Sequence, residues 1–400
     1  MKPHVLIVGG GIAGPALAIF LNKAGIASTV FEAYPQVEDI GGGMQIAPNG
    51  MRVLQEIGVA EEVIEHGVES DEFSFENQQG KVLARVPNGP ASIYGIPAVM
   101  IARSVVHRAL VREAERRGIP ILYQKRLHDL KCNTSVVLAE FDDGSAAEGT
   151  LLIGADGVHS RTRELIFPEG PRPFYTGLFT VGGFASHPSL VPANRNELHR
   201  MHMVFGRESF FGYGRFNRQR PDTVIWWSHL SREQDPQKQE YRSWPTEALR
   251  RELLARHQGW QQPVATILES APELLRGPVY DVPTLPAWSK DRVLLIGDAA
   301  HATSPHAGQG ASLALEDAMA LGKLLRSPAV HHEQVFADFM RDRRSRVERV
   351  IAEARRRGDG KRTLTPTAAW IRDRVISALA RVLGARMNQW MYSYKIVWEG

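Results

Sequence analysis

The sequence has little cysteine and no long hydrophobic run. Only one of its 400 residues is a cysteine, Cys132, so an internal disulfide cannot form, which predicts a reducing compartment and a cytoplasmic location. No stretch of 18 apolar residues occurs, so we expect no transmembrane helix. The opening residues, MKPHVLIVGGG, lack the pattern of a signal peptide and are predicted to contain the first strand.

The sequence also lacks internal repeats, low-complexity segments and a strong excess of one charge. Its 48 Lys and Arg against 44 Asp and Glu give a net charge of +4, and its length predicts two or three domains. The basic residues concentrate in 341–386, which carry 13 Arg and one Lys against five acids. Such a segment could bind nucleic acid or a membrane surface. Because acids alternate with its arginines, we interpret it as solvated helix faces and expect neither nucleic-acid binding nor membrane insertion.

The N-terminal residues carry a nucleotide-binding pattern. An apolar strand is followed by Gly9, Gly11 and Gly14 in GxGxxG spacing, then by a helical pattern that ends at Gly25. The first glycine permits a tight turn, the second a close approach to a pyrophosphate, and the third close packing of helix on strand. A second strand leads to Glu32, an acid placed to bind a ribose. The pattern predicts a dinucleotide site and leaves NAD and FAD open.

Two further motifs each place an acid directly after a buried strand. LLIGADGVHSRTR, residues 151–163, presents Asp156, and RVLLIGDAAHATSPHAGQG presents Asp298. Ligands of open α/β sheets bind at this carboxyl edge of the strands. A predicted helix from Gln309 to Leu325 directs its unpaired N–H groups and positive end at the loop before it.

The three motifs, in this order, resemble the group A FAD-dependent aromatic monooxygenases, the family of urate hydroxylase, zeaxanthin epoxidase and salicylate hydroxylase. The resemblance spans about residues 4–360 and implies an α/β fold: a Rossmann-type FAD-binding domain, a mixed-sheet substrate domain and a helical C-terminal tail. We expect the FAD-binding domain in 1–70, 98–170 and 281–330, the substrate domain in 71–97 and 171–280, and the tail in 331–400.

The resemblance also implies which residues hold the cofactor. They are Gly9, Gly11, Ala13, Gly14, Glu32, Ala33, Gln45, Arg103, Leu127, Asp156, Asp298, Gly308, Gln309, Gly310 and Ala311. A helix start beside the flavin favours the anionic reduced ring. His301 and His306 lie five residues apart without a third ligand nearby in sequence, so we interpret His301 as structural and expect no metal site.

The segment 202–230 alternates aromatic and polar residues, which predicts antiparallel strands. The family places such a sheet over the flavin, which makes several of its residues pocket candidates, although aromatic residues in strands are also common in cores. The candidates are His202, Phe205, Phe211, Tyr213, Arg215, Trp226 and Trp227. A phenolic substrate would gain from a base, for which His202 and Tyr213 are the candidates, but the sequence identifies no catalytic residue.

The implied activity is an NAD(P)H-dependent monooxygenase that inserts one atom of O2 into an aromatic or heteroaromatic small molecule through a flavin C4a-hydroperoxide. Secondary metabolites are among the substrates that we consider. Epoxidation of a polyene or isoprenoid, and a flavin-dependent reductase of the same fold, are the alternatives. We expect NADH or NADPH as the co-substrate and a monomer or homodimer.

Overall fold

The computed structural model describes residues 4–36, 41–236, 238–327, 331–359 and 363–399. The strands are β1 (His4–Val8), β2 (Ala27–Phe31), β3 (Gly43–Ile46), β4 (Val68–Glu69), β5 (Glu72–Asn77), β6 (Val82–Pro87), β7 (Val99–Ala102), β8 (Ile121–Leu122), β9 (Leu127–Cys132), β10 (Val137–Phe141), β11 (Ala146–Gly149), β12 (Leu151–Gly154), β13 (Phe174–Ser186), β14 (Arg200–Phe205), β15 (Phe210–Arg215), β16 (Thr223–Ser231), β17 (Leu275–Asp281), β18 (Ser289–Lys290) and β19 (Val293–Leu295).

The helices are α1 (Ala13–Lys23), α2 (Pro48–Ile57), α3 (Ala60–His66), α4 (Ala91–Tyr94), α5 (Arg103–Arg116), α6 (Arg161–Ile166), α7 (Arg195–Leu198), α8 (Lys238–Ser243), α9 (Thr246–Arg256), α10 (Val264–Ser270), α11 (Asp298–His301), α12 (Gly310–Leu325), α13 (His332–Asp359), α14 (Pro366–Leu383) and α15 (Gln389–Tyr392). Short 3₁₀ turns cover Pro188–Leu190, Pro305–Ala307 and Gly384–Arg386.

A mainly parallel sheet forms the first layer of the molecule, in the order β18-β19-β12-β1-β2-β8. Its central strands are nearly continuous apolar runs, as expected for strands buried on both faces. The helices α1 and α12 pack against each other in the same hydrophobic core as these strands. This arrangement brings the carboxyl ends of β1, β12 and β19 to one edge.

A second, mixed sheet has the order β17-β13-β16-β15-β14-β5-β6, in which only β14 and β5 pair in parallel. One face, which we call the outer face, packs its apolar side chains on α9 and α10. The opposite face, the inner face, meets the small sheet β3-β7-β4, because Ile225 and Met201 share a cluster with Met100.

The C-terminal region is helical, with α13 packed on α12 and α14 along β6. None of the helices in the described ranges has the length and apolarity that crossing a membrane requires. The predicted α/β class, with a Rossmann-type sheet, a mixed sheet and a helical tail, is confirmed. The segment boundaries stay predictions, and those at residues 1, 330 and 400 lie outside the described residues.

Candidate active site

Three helices begin at the same cleft. They are α1, α5 and α12, and each starts with neither a side-chain cap among the described residues nor an acid in its first turn. Nη2 of Arg103 lies 3.9 Å from the position that a Cβ on Gly11 would take, and a carboxylate oxygen of Asp298 lies 4.0 Å from that of Gly310. We call the space bordered by Gly11, Arg103, Asp298 and Gly310 the anion cleft. Its uncapped N–H groups and positive helix ends suit a ligand with negative charge.

The three glycines of the first motif differ in the space around them. Gly9 has a φ of +114°, and a Cβ there would lie 2.3 Å from the carbonyl oxygen of Ala155. A Cβ on Gly14 would lie 1.9 Å from the carbonyl oxygen of Gly9, so this glycine lets α1 pack on β1. Only Gly11 has open space above it, which is where a ligand can approach the backbone.

The three predicted acids have different surroundings. Both oxygens of Glu32 accept backbone N–H groups, from Gly10 at 2.7 Å and Tyr34 at 2.8 Å. Asp156 accepts the Ser160 hydroxyl at 2.6 Å and the N–H of Thr162 at 2.9 Å. These two carboxylates therefore shape the loops in which they lie.

Asp298 instead has an exposed side chain that no described group hydrogen-bonds. The protein atoms packed around the turn after β19 raise its pKa by desolvation, an effect that His301 and Arg103 oppose. Burial likewise raises the pKa of Asp156, against the hydrogen bonds that it accepts. Asp298 is thus the one of these three acids that accepts no hydrogen bond from a described group, while each oxygen of Glu32 keeps a second lone pair.

A buried network braces the turn that carries Asp298. Asp317, in α12, accepts the N–H of Gly297 at 2.9 Å, lies 2.6 Å from Nε2 of His301, and accepts from Nε of Arg343 at 2.8 Å. Burial alone would raise the pKa of Asp317, but His301 and Arg343 lower it to about 2. Our sequence reasoning missed Asp317 and Arg343, although an acid inside an apolar helix pattern is a signal that could have found them.

A second network joins the cleft's neighbours to the C-terminal segment. The amide of Gln309 is buried, and its oxygen accepts from Asn49 at 2.9 Å. The amide nitrogen of Gln45 donates to Asn88 at 3.1 Å and to the hydroxyl of Tyr392 at 3.3 Å. Side chains that the sequence placed on a ligand are thus already bonded to protein here.

The remaining predicted cofactor residues lie at the starts of α1 and α12 or near the ends of β2 and β9. Ala13 and Ala311 are in the first turns of α1 and α12, and Gly308 has a φ of +61° just before α12. Ala33 follows Glu32 at the end of β2. Leu127 begins β9 with its side chain buried beside Phe141 in the core, so only its backbone is available to a ligand.

Five of the seven pocket candidates lie on the outer face, and their assignment to a substrate pocket stays a prediction. His202, Tyr213 and Trp226 are register partners across three strands, and all are buried on the side covered by α9 and α10. Arg215 follows on the same face and donates to the carbonyl oxygen of Leu190 at 2.5 Å. The candidate Phe211 lies there too, since side chains of a strand alternate between faces.

The buried outer-face groups are bonded to each other instead of facing a cleft. His202 lies 2.8 Å from Glu76 and stacks on Tyr213 with ring centroids 4.4 Å apart. Desolvation raises the pKa of Tyr213 strongly, so this phenol is no base at neutral pH. Neither of the two candidate bases therefore reaches the inner face.

The inner face presents the alternate residues of the same strands. Phe205 and Trp227, the other two candidates, are here, together with Met203 and His229. The ring of His229 meets that of His306 edge-on, with centroids 4.8 Å apart. Because His306 lies in the turn before α12, the inner face and the anion cleft border the same space.

One cluster outside this space bears on the expectation of no metal. Glu69, Asp71 and His199 have ligand atoms within 4.8 Å of one another. Glu69 is already paired with Arg218 at 3.0 Å. The expectation stays a prediction.

The comparisons with known proteins agree on one family. A family model described as "FAD binding domain" matches residues 2–354. The chain is 30% identical to 6-hydroxynicotinate 3-monooxygenase of Bordetella bronchiseptica, covering 87% of this chain and 90% of that protein. It is 30% identical to 3-amino-4-hydroxybenzoate 2-monooxygenase PtnB3 of Streptomyces platensis, covering 89% and 88%. The structure of Klebsiella pneumoniae HpxO with FAD and uric acid matches with a TM-score of 0.84 at 21% identity, covering 95% of each chain.

Proposed function

The chain belongs to the FAD-binding family of monooxygenases that hydroxylate aromatic rings, and we propose that FAD lies in the anion cleft with its substrate under the inner face. As a member, it is an FAD-dependent monooxygenase that uses O2 and a reduced nicotinamide to oxidise an aromatic small molecule. The proposal concerns which residues of this chain do the work.

The observation that carries the proposal is the meeting of three uncapped helix starts and Arg103 at one cleft. A dinucleotide fits this donor set, because its pyrophosphate is anionic and its flavin ring becomes anionic when reduced. We assign the pyrophosphate to Gly11 and the start of α1, the flavin pyrimidine to the start of α12, and the ribityl hydroxyls to Asp298. Glu32 is assigned to the adenosine ribose.

FAD held by these residues would supply hydride acceptance from NAD(P)H and activation of O2, which is chemistry that no side chain of the protein supplies. The chain's own residues position the cofactor and the substrate and enclose the reacting ring. The start of α12 stabilises negative charge on the flavin pyrimidine. The aromatic and aliphatic side chains of the inner face exclude water from the reacting ring. Thr180 and His229, whose Oγ1 and Nδ1 lie 2.9 Å apart, are the polar side chains there that we assign to a substrate hydroxyl.

Bound cofactor and oxygen incorporation test this assignment. We expect the purified protein to contain FAD, to oxidise NADH or NADPH faster with an accepted aromatic compound, and to incorporate ¹⁸O from ¹⁸O2 into it. Asp298→Asn should lower FAD occupancy, whereas Asp342→Asn, at an exposed acid of α13, should not. A wild-type protein that binds no FAD, or that reduces substrates without gaining ¹⁸O, contradicts the proposal.

Domain division, cellular location and oligomeric state complete the proposal. We keep the division into an FAD-binding domain and a substrate domain, which is supported by β5 and β6 joining β13–β17 in one sheet. We also keep a cytoplasmic location, which the single cysteine favours, and a monomer or homodimer. Light scattering after size-exclusion chromatography measures the last of these.

A further inference from the structure

We propose that the substrate is a neutral aromatic compound, with hydroxyl or amino groups and without a carboxylate on the ring that lies under the inner face. This inference rests on the proposed function, since it concerns what fills the space between the inner face and the cofactor. It separates this chain from relatives whose names give aromatic acids, hydroxynicotinate and aminohydroxybenzoate.

The first ground is the distribution of cations over the mixed sheet. Its seven strands contain no lysine and four arginines. All four arginines lie on the outer face, since each pairs in register with an outer-face residue: Arg85, Arg200, Arg215 and Arg276. At the inner positions of these strands, as described, there is neither arginine nor lysine. A carboxylate placed against this face finds no arginine or lysine of the sheet.

The second ground is that two arginines beside this space, Arg372 and Arg103, have other partners or roles. Arg372 of α14 lies over the ring of Phe205, but it pairs with Asp373 at 2.8 Å and donates to the carbonyl oxygen of Gly206 at 2.7 Å. Arg103 borders the anion cleft, where the proposed function assigns it to FAD. Across the space, the amide of Gln45 is bonded to Asn88.

The third ground is the cost of an unpaired charge. Aromatic acids of the benzoate type are ionised at neutral pH, and an ion buried without a partner costs several kcal/mol. A neutral ring instead gains from contact with half-buried Trp227, Phe75 and Met203. The Thr180–His229 pair offers a hydrogen bond to one hydroxyl or amino group, which a neutral phenol or arylamine can use.

Matched ligand pairs on the FAD-loaded wild-type enzyme test the inference. Equilibrium dialysis compares salicylate with salicylamide, and 3-hydroxybenzoate with 3-hydroxybenzamide, so that the members of a pair differ at one group, a charged carboxylate against a neutral carboxamide of similar shape. We expect the amide to bind at least about tenfold more tightly, the lower range for a lost charged hydrogen-bond partner. Equal or tighter binding of the carboxylate in either pair overturns the inference.

A designed cation gives a second result that does not depend on those affinities. Met203 is half-buried on the inner face, paired in register with Phe75 and Gly212. Met203→Arg should bind the carboxylates at least about tenfold more tightly than Met203→Gln, which has similar length and no charge. If the arginine brings no gain while both variants retain FAD and wild-type thermal stability, the inference is wrong.

The readouts keep this inference apart from the proposed function. Ligand binding is measured without turnover, so a carboxylate that binds and gains ¹⁸O overturns the substrate class and supports the monooxygenase. Absence of bound FAD from the wild-type protein contradicts the proposed function before any ligand is added.

Discussion

The anion cleft and the inner face border one space but are made of different material. The cleft presents backbone N–H groups at three helix starts, one open glycine and two charged side chains. The inner face presents aromatic and aliphatic side chains from seven strands. A site made of backbone is set by short local patterns, whereas a site made of strand side chains depends on which way each residue points.

Adjacent tryptophans on β16 test this contrast most strongly. Trp226 is 1% exposed and stacks on Phe211 on the outer face, while Trp227 is half-buried on the inner face. Trp226→Ala should lower the free energy of unfolding by about 3–5 kcal/mol and leave ligand affinity per folded molecule unchanged. Trp227→Ala should cost less stability and weaken salicylamide binding.

Urea denaturation and equilibrium dialysis measure the two effects. The contrast between the faces fails if Trp226→Ala weakens ligand binding as much as Trp227→Ala does when both proteins are folded. It also fails if the inner-face variant is the less stable of the two.

The same contrast explains what the sequence could predict. The strand–glycine–helix patterns around Gly9, Gly14 and Asp298 each lie within about 30 residues, and the structure folds them as predicted, with α12 starting one residue after Gln309. Trp226 and Trp227 are both aromatic neighbours in a strand, so composition could not say which one faces the cleft. That choice comes from pairing with Gly183, Gly182 and β15, which are contacts between distant parts of the chain.

The local sequence pattern also could not identify side chains that support a site from a distant part of the chain. Arg343 lies in the basic segment that we interpreted as solvated helix faces, yet it is fully buried against Glu316 and Asp317. Its neighbour Arg341 is exposed. Helical spacing could suggest that the two point in different directions, but only the packing of α13 on α12 shows which one is inside.

A change of pH sharpens the comparison, because it titrates a histidine packed on the outer face of the mixed sheet. His257 is buried with its Nε2 3.0 Å from the Ser209 hydroxyl, and desolvation lowers its pKa to about 4. Because the unfolded chain binds the proton near pH 6.5, the stability from neutral His257 is present above that pH and is lost towards pH 4. Between pH 7 and 5 the loss should be about 2 kcal/mol.

Urea denaturation at the two pH values measures this loss in wild type and in His257→Gln. The variant should show a pH dependence smaller by that amount and should bind FAD as wild type does. The stability that ionised Asp317 contributes, with its pKa lowered to about 2, is lost only as the pH falls below about 4, so it does not change between pH 7 and 5. Identical slopes in the two proteins would contradict a neutral, buried His257.

The smallest of these effects isolates one side chain of the anion cleft. Arg103 and Arg116 are both exposed and lie at opposite ends of α5, Arg103 beside Gly11 and Arg116 paired with Glu113 at 2.8 Å. Since Arg103 is solvated before FAD binds, its loss removes only the difference in free energy between its contact with the anionic cofactor and its contact with water. Arg103→Met should therefore weaken FAD binding by about tenfold, or about 1.4 kcal/mol, whereas Arg116→Met should not change it. Titration of the apoprotein with FAD measures both constants, and because both variants remove one positive charge from the same helix, any difference reports position and not net charge. Equal constants for the two variants would mean that the three helix starts hold the cofactor without help from this arginine.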